Sequence, residues 1–431
     1  MPRPLTLADG VVFTCQSCGD CCRGAWLIGV DDAAHARLND VDWAALDPAL
    51  GGGEKFQRLP LPLASGEAMT FARGAAGACV FLTDDSRCGI HRHRGYADKP
   101  QVCREFPYQF VETPDGVAAG LSFACSAVLH HRGAPLDAQA PAVRDVLAGS
   151  ARVRRVPDPV VLYSGVDIGW ADYRAIEAGL LALLGDERIA VPHALLSGSL
   201  LVALAVSLAR LEQRRTAGAA GGQTLASGLA ELARQGYRPL VDVAVGVRPP
   251  ARGTLAHLAP LYTWLEASRR PSSRAGLVWA LYRNYLRLRR GRGRLPDLVA
   301  DGGEIEIAAV DAVRFALDDP DVGALLRRYW RHVVARKTLT PMHGVFRGYH
   351  TMLVLYAFAR WAAKLLAHRE GRTVTTLADV QTAVRLVEQR FVLHAEFARL
   401  FELSPVFTLF ADRQYRDAAL VRRAVLEPAT R

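Results

Sequence analysis

The chain has 431 residues, 50% of them hydrophobic and 22% charged, with a net charge of +10. That balance excludes a mostly disordered or collagen-like polypeptide, and the length gives two to three domains room for buried cores. Only four of the 53 basic residues are lysines (Lys55, Lys99, Lys337 and Lys364), so arginine carries the charge.

The first ten residues lack a charged segment followed by an apolar one, which is read as no secretory signal and hence a reducing compartment such as the cytoplasm. Residues 13–24 then bring four cysteines, Cys15, Cys18, Cys21 and Cys22, in a C-x2-C-x2-C-C pattern, with Gly19 placed for a sharp turn. A strand is expected over Ala25–Val30, and Asp31 and Asp32 supply N-cap oxygens for a helix to about Leu38. Gly51 to Gly53, with Pro60 and Pro62, mark loops. Cys79, Cys88 and Cys103 follow. A hairpin runs from Phe106 to Glu112 and back from Val117 to Ala124, turned by Pro114-Asp115-Gly116 and flanked by Cys103 and Cys125, which it would bring together.

All eight cysteines lie between Cys15 and Cys125, and the 306 residues after Cys125 have none. Residues 1–135 carry a net −3 and residues 136–431 a net +13, so a break is expected near 133–150. The second part reads as helices over Trp170–Leu184, Ala194–Arg214, Thr224–Gln235, Ala275–Arg290, Ile307–Leu317, Val322–Arg336, Met342–Arg369 and Thr376–Leu403. Loops are expected near 215–223 and 245–274. The uncharged run Ile189–Ala209 is long enough to cross a bilayer, but its proline, histidine and serines favour a buried helix. Tyr282, Trp330, Tyr349 and Trp361 are expected in the core, Arg214, Arg215, Arg327 and Arg328 on ordinary helix surface, and His343 and His350 outside any catalytic role. The basic run Arg283–Arg294 reads as a solvated helix end closed by Gly291, and nucleic acid is not expected as a partner. The fold class is therefore mainly α: a small irregular α+β cysteine module, 1–135, followed by an all-helical region, 136–431.

Four cysteines within eight residues are a strong metal signal, because thiolates two residues apart in a tight loop converge on one ion or cluster. Eight thiols exceed one tetrahedral site, so there are two sites, or one site with spare thiols. Adjacent Cys21 and Cys22 are expected to project in different directions. All-thiolate ligation suits Zn²⁺ and iron–sulfur clusters alike. The spread of the second cysteine group, unlike paired zinc knuckles, leans towards iron–sulfur. His91, His93, His130 and His131 are further ligand candidates, each more simply a surface or hydrogen-bonded histidine. Arg104, beside Cys103, is expected in an ordinary salt bridge.

The pattern F-x-C-x2-C-x2-C-C, C-x-F-L from Cys79, C-x-I from Cys88 and P-x2-C-R-x-F-P around Cys103 resembles the YkgJ family of cysteine-cluster proteins, whose domain chelates zinc or iron. Trp26-x-Ile28-x-Val30-Asp31, the gap from Cys88 to Cys103, Asp115-Gly116 and Ser122-x2-Cys125 are similar to the flagellin lysine-N-methylase (FliB-like) branch. The helical segment Leu325–His332 with Phe346-x2-Tyr349 is similar to that branch's C-terminal part. The spacing Cys15-x2-Cys18 and the pair Gly19-Asp20 depart from the branch.

The resemblance implies metal binding by Cys15, Cys18, Cys21, Cys22, Cys79, Cys88, Cys103 and Cys125. It also implies an iron–sulfur cluster, [4Fe–4S] or else zinc, and S-adenosylmethionine-dependent methylation of lysines in a flagellin-like or other protein. The residues alone show no glycine-rich S-adenosylmethionine cradle and no C-x3-C-x2-C loop. A non-enzymatic, zinc-stabilised protein-binding or metal-trafficking module is the alternative. No membrane association is expected.

Overall fold

The computed structural model describes residues 3–24, 26, 28–59, 66–74, 77–150, 153–215, 224–248, 255–269, 273–297, 303–393 and 405–427. They divide into two compact units, Met1–Arg155 and Val156–Arg431. The expected boundary lay at 135/136. The intervening stretch joins the first unit because α7 (Ala140–Ala148) packs on its neighbours there and β9 (Arg154–Arg155) adds a strand to its sheet.

In the first unit, β1 (Leu5–Leu7), β2 (Val12–Phe13) and the short helix α1 (Asp20–Arg23) are followed by β3 (Gly29–Val30). The strand expected from Ala25 is present only over Gly29–Val30, since Trp26 and Ile28 lie outside it, while positions 25 and 27 lie outside the described residues. Helix α2 (Asp32–Asn39) starts where its cap predicts, with the Asp31 carboxylate accepting from Ala34 N. After α3 (Trp43–Leu46) come β4 (Phe56–Arg58) and β5 (Met69–Phe71), which complete a sheet in the order β3-β5-β4. Then α4 (Gly89–Arg94) and α5 (Gln101–Glu105) lead into the hairpin of β6 (Tyr108–Thr113) and β7 (Gly116–Leu121). The turn forms as its Pro-Asp-Gly chemistry requires, with Gly116 at φ 134°. The hairpin sits in a second sheet, β1-β7-β6-β9. Helix α6 (Ser126–Leu129) and β8 (Ala134–Pro135) follow, β8 pairing antiparallel with β2, before α7 and β9 end the unit.

The second unit is helical, with two short antiparallel pairs: β10 (Val160–Tyr163) with β11 (Val166–Ile168), and β12 (Arg294–Pro296) with β13 (Glu304–Glu306). Its helices are α8 (Trp170–Gly185), α9 (Val191–Arg214), α10 (Leu225–Arg234), α11 (Arg238–Gly246), α12 (Ala259–Arg269), α13 (Arg274–Arg290), α14 (Ile307–Asp311), α15 (Pro320–Ala335), α16 (Thr340–Arg369), α17 (Leu377–Val387), α18 (Pro405–Arg416) and α19 (Ala418–Val425). The region expected as loop near 245–274 therefore contains α12, while positions 216–223 lie outside the described residues.

Two expected helices are shorter than their periodicity. After Asp311 the chain leaves the helix because Arg314 exchanges backbone hydrogen bonds with Thr373 and Thr375. After Val387 it widens into a π turn, Glu388–Val392, and positions 394–404 lie outside the described residues.

Helix α16 is the centre of this unit and packs against α9, α14, α17 and α19. Its first turn is broken at Gly344, whose φ of 70° and ψ of −175° belong to glycine alone. Helix α9 is apolar and long enough to span a bilayer, and about two thirds of its most apolar window is buried, packed on α8, α11 and α16.

Trp330, Tyr349 and Trp361 are buried as expected, but Tyr282 is 53% exposed beside the 64% exposed Trp279 on α13. Arg327 is not ordinary surface either. Its guanidinium donates to the carbonyls of Leu184, Asp186 and Ile189 at 3.1, 2.7 and 2.6 Å, satisfying the end of α8.

Candidate metal centre

Cys15 and Cys18 sit on a loop of the first unit, Cys21 and Cys22 in α1, Cys103 in α5, and Cys88 and Cys125 at the N-caps of α4 and α6. Ser17 at φ 50° and Gly19 at φ 71° turn the chain after Cys18, so that Cys21 and Cys22 enter α1. A side chain at Gly19 would press on Arg23 Nη1 at 2.8 Å and Ser86 O at 2.9 Å, so the tight turn requires glycine. Arg23 fixes the turn by donating to Cys18 O (2.8 Å) and Ser86 Oγ (2.7 Å). Trp26 donates its indole N–H to Cys21 O (3.1 Å) and packs on Phe106. Arg73 donates to Cys22 O (3.2 Å) and to Trp26 O. Three side chains thus hold the carbonyls of the cysteine loop and leave its thiols to other work.

Cys79 is buried in an apolar cluster that includes Phe71, Phe81 and Ile90, and Cys22, Cys88 and Cys103 pack against the same cluster. Cys79 N donates to Cys22 O at 2.8 Å. Cys15, Cys18 and Cys21 are exposed, and Cys125 is half-buried at the N-cap of α6. All eight are free thiols. The Cys21 and Cys22 sulfurs lie 4.0 Å apart, closer than diverging neighbours would be. Among the described residues, no three His, Cys, Asp or Glu side chains already surround one point as metal ligands.

The thiols nonetheless share one electrostatic neighbourhood. The hydrogen bond with Cys22 holds Cys21 down to about 6 and, with burial, pushes Cys22 up, so the pair prefers one proton between them. Burial pushes Cys79 and Cys125 up to about 11 and raises Cys103 as well. Charges on Cys79 and Cys88 act on both Cys22 and Cys103, while Cys21 and Cys18 act on Cys125. Cys103 and Cys125, the two ends of the hairpin, therefore face different thiols, although both feel Cys21.

Lys99 is the cationic partner. Burial opposes its charge, yet the thiolates of Cys103, Cys88 and Cys21 outweigh that and raise its pKa. Sequence reading missed Lys99, whose signal was its rarity, one of four lysines and the one placed four residues before a cysteine.

Two of the histidine candidates have partners other than thiols. His91 stacks edge-on to Tyr96, and His93 Nε2 lies 3.4 Å from Asp47. Arg104 makes no ordinary salt bridge through Nε, which is buried without a hydrogen-bond partner.

The donor set fits a soft metal. Thiolates ligate zinc and iron–sulfur clusters, and buried thiols that resist ionisation become stable thiolates on a cation. A tetrahedral zinc–thiolate site has sulfur–sulfur edges of about 3.8 Å, close to the Cys21–Cys22 separation of 4.0 Å.

No curated protein and no solved structure matches the chain. Residues 14–120 match the family model CxxCxxCC, described as a "putative zinc- or iron-chelating domain". That stretch holds seven of the eight cysteines and Lys99, with Cys125 just beyond it. Residues 14–120 of the first unit are thus similar to the cysteine-cluster domains that this model describes as zinc- or iron-chelating.

Proposed function

We propose that the first unit holds an iron–sulfur cluster on its cysteines and that the chain uses this centre in the cytoplasm to N-methylate lysines of a flagellin-like or other protein. The observation that supports the metal part is the gathering of Cys22, Cys79, Cys88 and Cys103 on one apolar cluster, with the half-buried Lys99 ammonium in the field of the Cys103, Cys88 and Cys21 sulfurs. A lysine kept charged in such surroundings offsets an anionic thiolate centre. An iron–sulfur cluster supplies one-electron chemistry when bound. The chain's own part is to hold the cysteine loop by its carbonyls through Arg23, Trp26 and Arg73 and to shield the thiols on one side with the Phe81 cluster.

The methylation part rests on the resemblance of the cysteine motifs and of Leu325–His332 to the lysine methylases. Anaerobic purification with metal and sulfide analysis and absorption near 400 nm tests the cluster. Iron and sulfide together support it, and zinc alone overturns it. Mass spectrometry of protein lysines in a deletion strain tests the methylation, which unchanged modification across the proteome overturns.

A second reading is a zinc-stabilised protein-binding or metal-trafficking module. All-thiolate donors support it, because four cysteines close a structural zinc site without iron or sulfide. Zinc that exchanges readily with a chelator would mark trafficking, and zinc that does not would mark a structural role.

A further inference from the structure

The eight thiols are not spread evenly over the first unit. Cys22, Cys79, Cys88 and Cys103 share a single apolar floor built by Ile28, Phe71, Phe81 and Ile90. Their backbones are joined as well. Cys79 N donates to Cys22 O at 2.8 Å, Leu82 N to Cys79 O at 2.9 Å, and Leu82 bridges to Cys88. Helix α5, which carries Cys103, is tied to the same place by Asp31, whose second carboxylate oxygen accepts from Gln101 N at 3.3 Å.

The other four are gathered by different elements. Pairing of β2 with β8 and a hydrogen bond from Thr14 N to Arg132 O (3.2 Å) fix the chain just before Cys15. Helix α6, which packs on β2, begins immediately after Cys125. Cys15 and Cys125 therefore sit on elements joined at two places. Both also act electrostatically on Tyr108, whose ring meets Phe13 of β2. Cys18 lies on the same exposed loop as Cys15, and the exposed Cys21 follows the Gly19 turn in α1.

We propose that the cysteines form two four-thiolate centres that divide the adjacent pair. Cys22 joins Cys79, Cys88 and Cys103 in a shielded centre, and Cys21 joins Cys15, Cys18 and Cys125 in an exposed one. The Cys21 and Cys22 sulfurs, 4.0 Å apart in α1, set the two centres side by side. The division uses every thiol and gives each centre the four ligands that a zinc ion or an iron–sulfur cluster takes. It rests on the metal-binding reading above, and it extends the donor set to Cys125, beyond the stretch matched by the family.

The test uses the full chain, purified anaerobically, with metal and sulfide counted per chain. The double variant Cys15→Ser/Cys125→Ser is compared with Cys88→Ser/Cys103→Ser, and circular dichroism checks the fold of each. Each is expected to lose one centre and keep the other, leaving half of the metal where the centres are alike and one element where they differ. Complete loss in the Cys15/Cys125 variant, or no loss in it, overturns the division while leaving metal binding intact. Because Cys15 is exposed and Cys125 half-buried, this variant decides the matter even where the shielded pair is needed for folding. A wild-type chain without metal overturns the metal-binding reading itself.

Discussion

His350 shows how one buried side chain sets a pH response. It is 2% exposed, its Nδ1–H donates to Phe346 O (2.8 Å), and its Nε2 accepts from Ser199 Oγ (3.0 Å). Burial lowers its pKa to about 4, from 6.5 in the unfolded chain. The unfolded state thus binds more protons between those values. Stability is full above pH 6.5, falls as pH drops through this window, and levels off below 4. The loss approaches about 3 kcal/mol at 1.4 kcal/mol per pKa unit. His257, lowered by burial and then by Arg423 and Arg360, acts with the same sign. Urea unfolding at pH 7 and pH 5 is expected to show the drop, and His350→Gln to flatten it. Glu388 makes a different demand. It is fully buried, bonded to Arg336 and to Tyr329 Oη at 2.9 Å. Glu388→Gln strands the guanidinium and is expected to cost about 3–5 kcal/mol in denaturant titration, whereas Arg336→Met with Glu388→Met restores most of it. Lys99→Met should weaken metal retention about tenfold, read by chelator competition, since second-shell partners commonly contribute that much.

Among the elements, α16 depends on its broken first turn. A Cβ at Gly344 would strike the backbone carbonyl of Val161 in β10, at a backbone conformation that other residues avoid. Gly344→Ala is therefore expected to destabilise by about 1–3 kcal/mol or more. Gly323, within α15 and with open space around its Cα, behaves oppositely, and Gly323→Ala should stabilise by about 0.5–1 kcal/mol. Thermal melts of the two variants should move in opposite directions. The sequence made such elements legible where the signal was local. Asp31 capped α2, Pro-Asp-Gly turned the hairpin, and apolar spacing located α8, α9, α13 and α15. It failed where distant residues decide. The stretch from Ala312 to Leu317 continues a helical pattern but pairs with Thr373 and Thr375 instead. Helix α12 was hidden by the prolines that flank it. The exposure of Tyr282 depends on which face of α13 meets its neighbours, and periodicity alone does not say which apolar face is covered. In the metal centre the cysteines were legible by spacing, while Lys99 and the shared floor of Phe71, Phe81 and Ile90 required the fold.

At the scale of the whole molecule, two units with separate cores predict two unfolding transitions in calorimetry. All the thiols belong to the first unit, so stripping the metal is expected to lower one transition and leave the other in place, because metal binding contributes folding free energy only where it occurs. The order of the helices has a further result, during synthesis. Helix α9 ends at Arg214, and α16, which covers one side of it, begins at Thr340. At about 5–20 residues per second the ribosome needs roughly 6–25 seconds to make the chain between them. For that interval a 24-residue apolar segment with the hydropathy of a membrane span has left the tunnel with part of its cover still unmade. The nascent chain is then a substrate for whatever binds emerging hydrophobic segments, and release from that factor must wait for the C-terminal third of the protein.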